Sequence, residues 1–108
     1  STKVLQGYNV MGVAKAALEA SVRYLAENLG KEGVRVNAVS AGPIKTLSAK
    51  GIQNFSSILT VVEEKAPLHR NVTTAQVGNV ATFLLSAMSE AITGQVIYAD
   101  SGYNIMGI

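Results

Sequence analysis

The longest run of helix-favouring residues lies between positions 8 and 29. Proline is absent from this run, a single glycine interrupts it at position 12, and Gly30 follows it as a stop signal. At about 100° per residue its apolar and small side chains fall on one broad face, opposite most of the charged ones. That face comprises Val10, Val13, Ala14, Ala17, Leu18, Ser21, Val22, Tyr24 and Leu25. The pattern predicts a helix that is buried on more than one side.

Two short segments rich in β-branched residues predict strands. One is residues 34–40 (VRVNAVS) and the other is residues 95–99 (QVIYA). The chain between them carries helical patterns, and strands joined through helices normally run parallel. The sequence therefore predicts α/β architecture.

Two helices are expected between these strands. Apolar residues recur at three- and four-residue steps over residues 52–65, before Pro67. The segment 73–88 (TTAQVGNVATFLLSAM) opens with a capping box formed by Thr73 and Gln76. Its predicted apolar face consists of Val77, Val80, Ala81, Leu84, Leu85 and Met88.

These elements do not complete a sheet. Two parallel strands and three helices cannot cover both faces of a parallel sheet and protect both of its edges. We therefore expect residues 1–108 to be the C-terminal half of one doubly wound, Rossmann-like domain. A preceding segment or a separate chain would supply its nucleotide-binding half.

Composition excludes several classes of function. The nine Lys and Arg residues are scattered and barely outnumber the seven Asp and Glu, so nucleic-acid binding is not indicated. No apolar run approaches the roughly 18 to 20 residues that span a bilayer. The absence of cysteine excludes disulfides, thiolate zinc sites and a cysteine nucleophile, and it fits a reducing compartment.

His69 is the only histidine, so any Ser-His-Asp triad would have to use it. It follows Pro67 in a short polar connection between predicted helices. This context favours a solvated loop residue, and no metal site is expected.

Tyr8 and Lys15 form the first candidate for chemistry. Seven residues on a helix turn through about 700°, which is close to two full turns, and rise by about 10.5 Å. The two side chains therefore share a face and could converge on one ligand, with a phenol to donate a hydrogen bond and an ammonium to stabilise negative charge. Taken alone, the pair also fits an ordinary solvated helix face.

The second candidate is the loop of residues 39–46 (VSAGPIKT), just beyond the carboxyl end of the first strand. Open α/β sheets bind their ligands at such ends. Gly42 allows a close backbone approach, Pro43 fixes the turn, and the amides and the Thr46 hydroxyl could hold an amide or a phosphate. A plain loop between a strand and a helix would use Gly-Pro as well.

Together these signals resemble a known family. Residues 8–52 (YNVMGVAKAALEASVRYLAENLGKEGVRVNAVSAGPIKTLSAKGI), 66–86 (APLHRNVTTAQVGNVATFLLS) and 92–107 (ITGQVIYADSGYNIMG) are similar to the C-terminal portion of the NADH-dependent enoyl-(acyl-carrier-protein) reductases of type II fatty-acid synthesis. The wider short-chain dehydrogenase/reductase superfamily places its tyrosine four residues before the lysine, where this chain has Met11. A tyrosine seven residues before Lys15 is the spacing of the enoyl reductases.

The resemblance implies an activity and its catalytic residues. The family reduces the C2–C3 double bond of a trans-2-enoyl chain carried on acyl carrier protein, using NADH; the residues that choose between NADH and NADPH lie outside this chain. Tyr8 would bind the thioester carbonyl, and Lys15 would hold the nicotinamide ribose. The family is usually a homotetramer, and a cytoplasmic or plastid location is expected.

The resemblance also implies the remaining contacts. The backbone of Ile44 would hold the nicotinamide carboxamide, and Thr46 would lie near the pyrophosphate. The other cofactor-contacting residues of the loop would be Lys45, Leu47 and Ser48. The acyl pocket would be lined by Tyr8, Met11, Ser48, Ile52 and Phe55. The glycine-rich turn that receives the pyrophosphate in this family is not found in the sequence, so it would belong to the other half of the domain.

Two other functions remain open at this stage. The chain could be a non-catalytic remnant that keeps the helix face for assembly without chemistry. It could also be a ketoreductase with an altered motif, although Met11 stands where a ketoreductase needs its tyrosine.

Overall fold

The computed structural model describes residues 9–44 and 55–107 of the chain. In these ranges the order of elements is α1 (Asn9–Gly30), β1 (Ala38–Ala41), α2 (Phe55–Lys65), α3 (Thr74–Leu85) and β2 (Val96–Ala99). Short 3-10 turns lie at Ala87–Ser89 and Tyr103–Ile105. The predicted helices are confirmed over these spans; positions 8 and 52–54, where two of them were expected to begin, lie outside the described residues.

The two strands pair in parallel, as predicted. Ala38 lies opposite Val96, and Ala41 lies opposite Ala99. Strand β1 is shorter than expected because the chain before it is held by side chains. The amide of Val36 donates to Thr93 Oγ1 at 3.0 Å, and Asn37 Oδ1 accepts from the amide of Gln95 at 3.0 Å.

Helix α1 ends in a Schellman motif. The amide of Val34 donates to the Leu29 carbonyl at 3.2 Å, and the amide of Gly33 donates to the Gly30 carbonyl at 2.9 Å. Gly33 takes the left-handed conformation, with φ of 77°. Gly30, predicted to follow the helix as its stop signal, is its last residue, and the residue whose conformation favours glycine is Gly33.

The broad face predicted for α1 is not buried within the described residues. Among the side chains of that face from Val13 onward, only Val22 is buried, whereas Val13, Leu18 and Tyr24 are 71%, 54% and 74% exposed. The stripe that packs inside the chain consists of Val22 and Ala26. Within the described residues the prediction of burial on more than one side was wrong, because the described elements cover only this narrow stripe of the helix.

Helix α3 begins with the predicted capping box. Thr73 Oγ1 accepts from the amide of Gln76 at 3.1 Å, and Gln76 Oε1 accepts from the amide of Thr73 at 3.0 Å. Leu84 on the predicted apolar face is buried, but Leu85 and Met88 are 86% and 82% exposed. The prediction therefore failed for these two: Met88 lies outside the helix, in the following 3-10 turn, and Leu85 is the last residue of α3.

Arg35 closes the other end of α3. Its guanidinium donates to the carbonyls of Leu84 at 2.9 Å, Ser86 at 3.3 Å and Ile92 at 3.1 Å. A cation there satisfies carbonyls that lack helical partners and also complements the negative end of the helix.

The buried apolar core is small over the ranges described. It consists of Val22, Ala26, Val62, Ala66 and Leu84. None of the helices in these ranges is both long enough and apolar enough to cross a membrane.

We expect Thr73→Ala to lower the free energy of unfolding by about 1 kcal/mol, because the amide of Gln76 loses its capping acceptor. Urea unfolding followed by circular dichroism measures the change. Thr74→Ala, one residue inside the helix, is the matched control and should cause no loss. An equal loss in both variants would show that the capping box is not the source.

Candidate functional site

The candidate site lies where the two parallel strands end. Because Ala41 and Ala99 are partners, the loops that follow β1 and β2 leave the sheet side by side. This edge is where open α/β sheets bind ligands. The loop after β1 is described as far as Ile44, which is half-buried.

Gly42 lies against the backbone of the other loop. Its amide donates to the Ala99 carbonyl at 3.2 Å. A Cβ atom at Gly42 would lie 3.3 Å from both Cα and Cβ of Asp100, and 3.7 Å from Val72 Cγ2. Glycine therefore permits a close approach at this position, as predicted, but the neighbour in the described structure is the chain's own Asp100.

Asp100 holds the loop after β2 in a tight turn. Its carboxylate is buried, with the residue 8% exposed. Oδ1 accepts from the amide of Gly102 at 3.1 Å and from Asn104 Nδ2 at 3.2 Å, while Oδ2 accepts from the amide of Asn104 at 2.9 Å. Ser101 and Gly102 both take positive φ, of 59° and 88°. The buried charge is thus compensated by three donors within its own turn.

The same turn also packs against the end of α2. The carbonyl of Ser101 accepts from the amide of Leu68 at 3.1 Å. A Cβ atom at Gly102 would lie 2.9 Å from Cγ of Pro67. We call this arrangement of Gly42, Pro67, Leu68 and residues 100–104 the exit clasp.

Sequence reasoning missed Asp100. An aspartate followed two residues later by glycine, directly after a strand, is a recognisable turn signal. It could have predicted the turn, but it could not have predicted the contact with Gly42.

The structure describes only part of the predicted site. Lys15 is exposed on α1, and Ile44 is half-buried beside the exit clasp. Met11 and Phe55 belong to α1 and α2, but their side chains lie outside the description. The remaining candidates also lie outside the described residues: Tyr8, Lys45, Thr46, Leu47, Ser48 and Ile52. The convergence of Tyr8 with Lys15 and the acyl pocket therefore stay predictions.

An apolar cavity of about 240 Å³ is lined in part by Pro43, the residue that precedes Ile44. Its lining combines the loop after β1, helix α2 and the C-terminal 3-10 turn: Pro43, Ser57, Ile58, Val61, Val62 and Tyr103. Apolar walls of this kind suit a hydrocarbon group.

His69 is exposed in the loop after α2, as predicted, with φ of 52° and Nδ1 3.3 Å from the Glu63 carbonyl. Within residues 9–44 and 55–107, no group of three or more His, Asp or Glu side chains is placed to hold a metal ion.

Tyr98 lines a second cavity, of about 280 Å³, together with Gln76 and Val80 of α3. Partial desolvation raises the pKa of the Tyr98 phenol, which is 38% exposed, and the carboxylates of Glu19 and Asp100 raise that pKa further. The phenol therefore stays protonated at neutral pH and can act as a hydrogen-bond donor.

Comparison with protein families gives a match over almost the whole chain. The model of the family described as enoyl-(acyl carrier protein) reductase matches residues 1–104.

Several curated proteins are similar to the chain. The enoyl-(acyl-carrier-protein) reductase (NADH) FabI of Bacillus cereus is 59% identical over 105 residues, which are 97% of this chain and 41% of that protein. The Bacillus subtilis enzyme of the same name is 61% identical, over 94% of this chain and 40% of that protein. The Staphylococcus aureus enoyl-(acyl-carrier-protein) reductase (NADPH) FabI is 58% identical, over 93% of this chain and 39% of that protein. The chain thus spans about two fifths of the length of these relatives.

Solved structures support the architecture. The crystal structure of the Bacillus cereus enoyl-acyl carrier protein reductase with NADP+ and indole naphthyridinone superposes with a TM-score of 0.91 at 58% identity, covering 98% of this chain and 41% of that one. The Anaplasma phagocytophilum reductase in complex with NAD superposes with a TM-score of 0.87 at 48% identity, covering 99% and 38%. The predicted α/β, Rossmann-like fold class is confirmed.

The raised pKa of Tyr98 has a consequence at alkaline pH. A phenol with a higher pKa in the folded state contributes stability below its unfolded pKa of about 10, and this stability is lost as pH rises through the folded pKa. We expect Tyr98→Phe to lose less unfolding free energy than the wild type between about pH 8 and pH 11. Tyr24→Phe, at a 74% exposed tyrosine, is the control and should follow the wild type. Identical pH profiles for all three proteins in urea unfolding would contradict the assignment.

Proposed function

Because the chain belongs to the enoyl-(acyl carrier protein) reductase family, we propose that it forms the catalytic part of such a reductase. The reaction reduces the C2–C3 double bond of a trans-2-enoyl thioester on acyl carrier protein, which is the last step of the fatty-acid elongation cycle. The observation that carries the proposal is the family match over residues 1–104, which include both the Tyr8 to Lys15 spacing and the loop after β1.

We propose NADH as the reductant, bound at the carboxyl ends of the strands. The residues present fit a dinucleotide. The loop after β1 begins at the carboxyl ends of the parallel strands, where such sheets bind nucleotides, and Lys15 on α1 is exposed to solvent. When bound, the nicotinamide supplies a hydride to C3 of the substrate. NADH stands in the names of the two Bacillus relatives and NADPH in that of the Staphylococcus aureus enzyme, so NADPH is the alternative reductant to test.

Tyr8 and Lys15 have different roles, Tyr8 toward the substrate and Lys15 toward the cofactor. The Tyr8 hydroxyl donates a hydrogen bond to the thioester carbonyl and stabilises the negative charge that develops on that oxygen. The Lys15 ammonium holds the ribose hydroxyls and favours the same negative charge. Protonation at C2 then completes the reduction.

The loop after β1 holds the cofactor and one side of the substrate. The Ile44 backbone binds the carboxamide, Thr46 lies near the pyrophosphate, and Lys45, Leu47 and Ser48 complete the contact. The acyl chain lies against Met11, Ser48, Ile52 and Phe55. The apolar cavity beside Pro43, with Ile58 and Val61 in its wall, supports an apolar substrate at this end of α2.

We further propose that residues 1–108 are the C-terminal half of the domain and that the complete enzyme is a cytoplasmic homotetramer. The pairing of only two strands among the described residues supports the need for a further half. The exposed apolar residues of α1, which include Val13 and Tyr24 at 71% and 74%, support burial against another helix. The relatives named above are bacterial proteins, which favours the cytoplasm over a plastid.

The activity can be tested in the complete protein, with this chain joined to the segment that supplies the remaining strands. We expect NADH absorbance to fall only when a trans-2-enoyl thioester is present. Parallel assays with NADPH and with a 3-ketoacyl thioester test the alternative reductant and the ketoreductase hypothesis. An assembled protein that oxidises neither dinucleotide with either substrate would contradict the proposal and favour a non-catalytic assembly role.

The catalytic roles predict a second result. Tyr8→Phe should lower kcat by about 100-fold or more, because the developing charge on the thioester oxygen loses its donor. Lys15→Ala should lower kcat and also raise KM for NADH. Lys31→Ala, at the exposed lysine after α1, is the control and should match the wild type. Full turnover in both site variants would disprove the assigned roles.

A further inference from the structure

The exit clasp contains a buried carboxylate that the proposed chemistry does not use. Burying a charge is costly unless hydrogen bonds compensate it. Asp100 meets this requirement with three donors, all from Gly102 and Asn104. The compensation fixes the turn in one shape, including the positive φ of Ser101, which non-glycine residues rarely adopt.

The fixed turn has close neighbours on two sides. On one side, Gly42 packs against the backbone of Asp100, where even a methyl group at position 42 would lie 3.3 Å from Asp100 Cα. On the other side, Gly102 packs against Pro67, where a methyl group would lie 2.9 Å from the ring. A turn held in this way resists displacement. Because Gly42 packs against Asp100, a change in the shape of the turn would also move Gly42.

Gly42 is connected to the proposed cofactor contact by one rigid residue. Pro43 follows it with a φ that its ring restricts, and Ile44 comes next. Gly42 is held by its contact with Asp100 and by its bond to the Ala99 carbonyl, and the ring of Pro43 removes one of the backbone rotations that separate it from Ile44. Small errors in the position of a binding group are costly when the ligand must be held in a reactive geometry.

We propose that Asp100 is a positioning residue, which sets the backbone of Ile44 for the nicotinamide through the exit clasp and does not itself touch the cofactor. The inference rests on the proposed function, because it assigns the carboxamide contact to Ile44. It predicts an effect on dinucleotide binding that is larger than the effect on binding of the acyl thioester, because the apolar cavity proposed for the acyl chain shares only Tyr103 with the exit clasp.

The test measures NADH affinity by fluorescence titration of the complete protein, together with KM for both substrates. Gly42→Ala and Asp100→Ala should each raise the Kd for NADH by about tenfold, which corresponds to about 1.4 kcal/mol. Asp100→Asn should give a smaller increase, since an amide oxygen can still accept two of the three bonds. KM for the thioester should rise less than the Kd for NADH in all three variants, because most of the acyl contacts lie outside the clasp.

Gly33→Ala is the matched control for backbone strain. Gly33 has positive φ, at 77°, as Ser101 and Gly102 of the clasp do, and no atom lies within 4 Å of the place where its Cβ would be. This variant should lower the melting temperature and leave the Kd for NADH unchanged.

Two outcomes would overturn the inference. Clasp variants that melt earlier but bind NADH as the wild type does would show that the clasp serves stability alone. Equal increases in KM for both substrates would show a general distortion. If the wild-type protein reduces the enoyl thioester and the clasp variants bind NADH normally, only the positioning role of Asp100 is disproved. If the wild-type protein binds no dinucleotide at all, the proposed function is disproved as well.

Discussion

The parallel register of the two strands is the constraint from which the candidate site follows. Because Ala41 is paired with Ala99, Gly42 and Asp100 leave the sheet as immediate neighbours. Their backbones then come so close that a side chain at position 42 would press on Asp100. The loop after β1, which carries the proposed cofactor contacts, therefore begins from a position that the loop after β2 determines.

Local chemistry explains which parts of the fold could be predicted from sequence. The capping box of Thr73 and Gln76 joins residues three apart, and the parallel strands follow from short β-branched segments separated by helices. Arg35 could not be assigned in this way, because its partners are carbonyls 49 to 57 residues further along the chain. The contact of Gly42 with Asp100 was hidden for the same reason, although Gly42 indicated a close backbone approach.

The errors on helices α1 and α3 have a related physical origin. Periodicity identifies which side chains share a face, but burial depends on what else is present to cover them. Tyr24 and Leu18 of α1 lie on an apolar face and remain exposed in the described structure. Met88 was placed on the α3 face because the apolar pattern continues past Leu85, where the hydrogen bonding changes to a 3-10 turn.

The candidate site combines two kinds of determinant, and sequence reveals only one of them. Tyr8, Lys15 and Ile44 are proposed as site residues because their positions resemble those of a family of enzymes. Asp100 accepts hydrogen bonds from Gly102 and Asn104 of its own turn. We infer that it affects neighbouring residues by fixing the shape of that turn. The proposed reaction would need both, since a hydride donor and an alkene react only when they are held in the right relative position. A carboxylate placed between the ends of two parallel strands can help to hold the reactants in that position without taking part in the reaction.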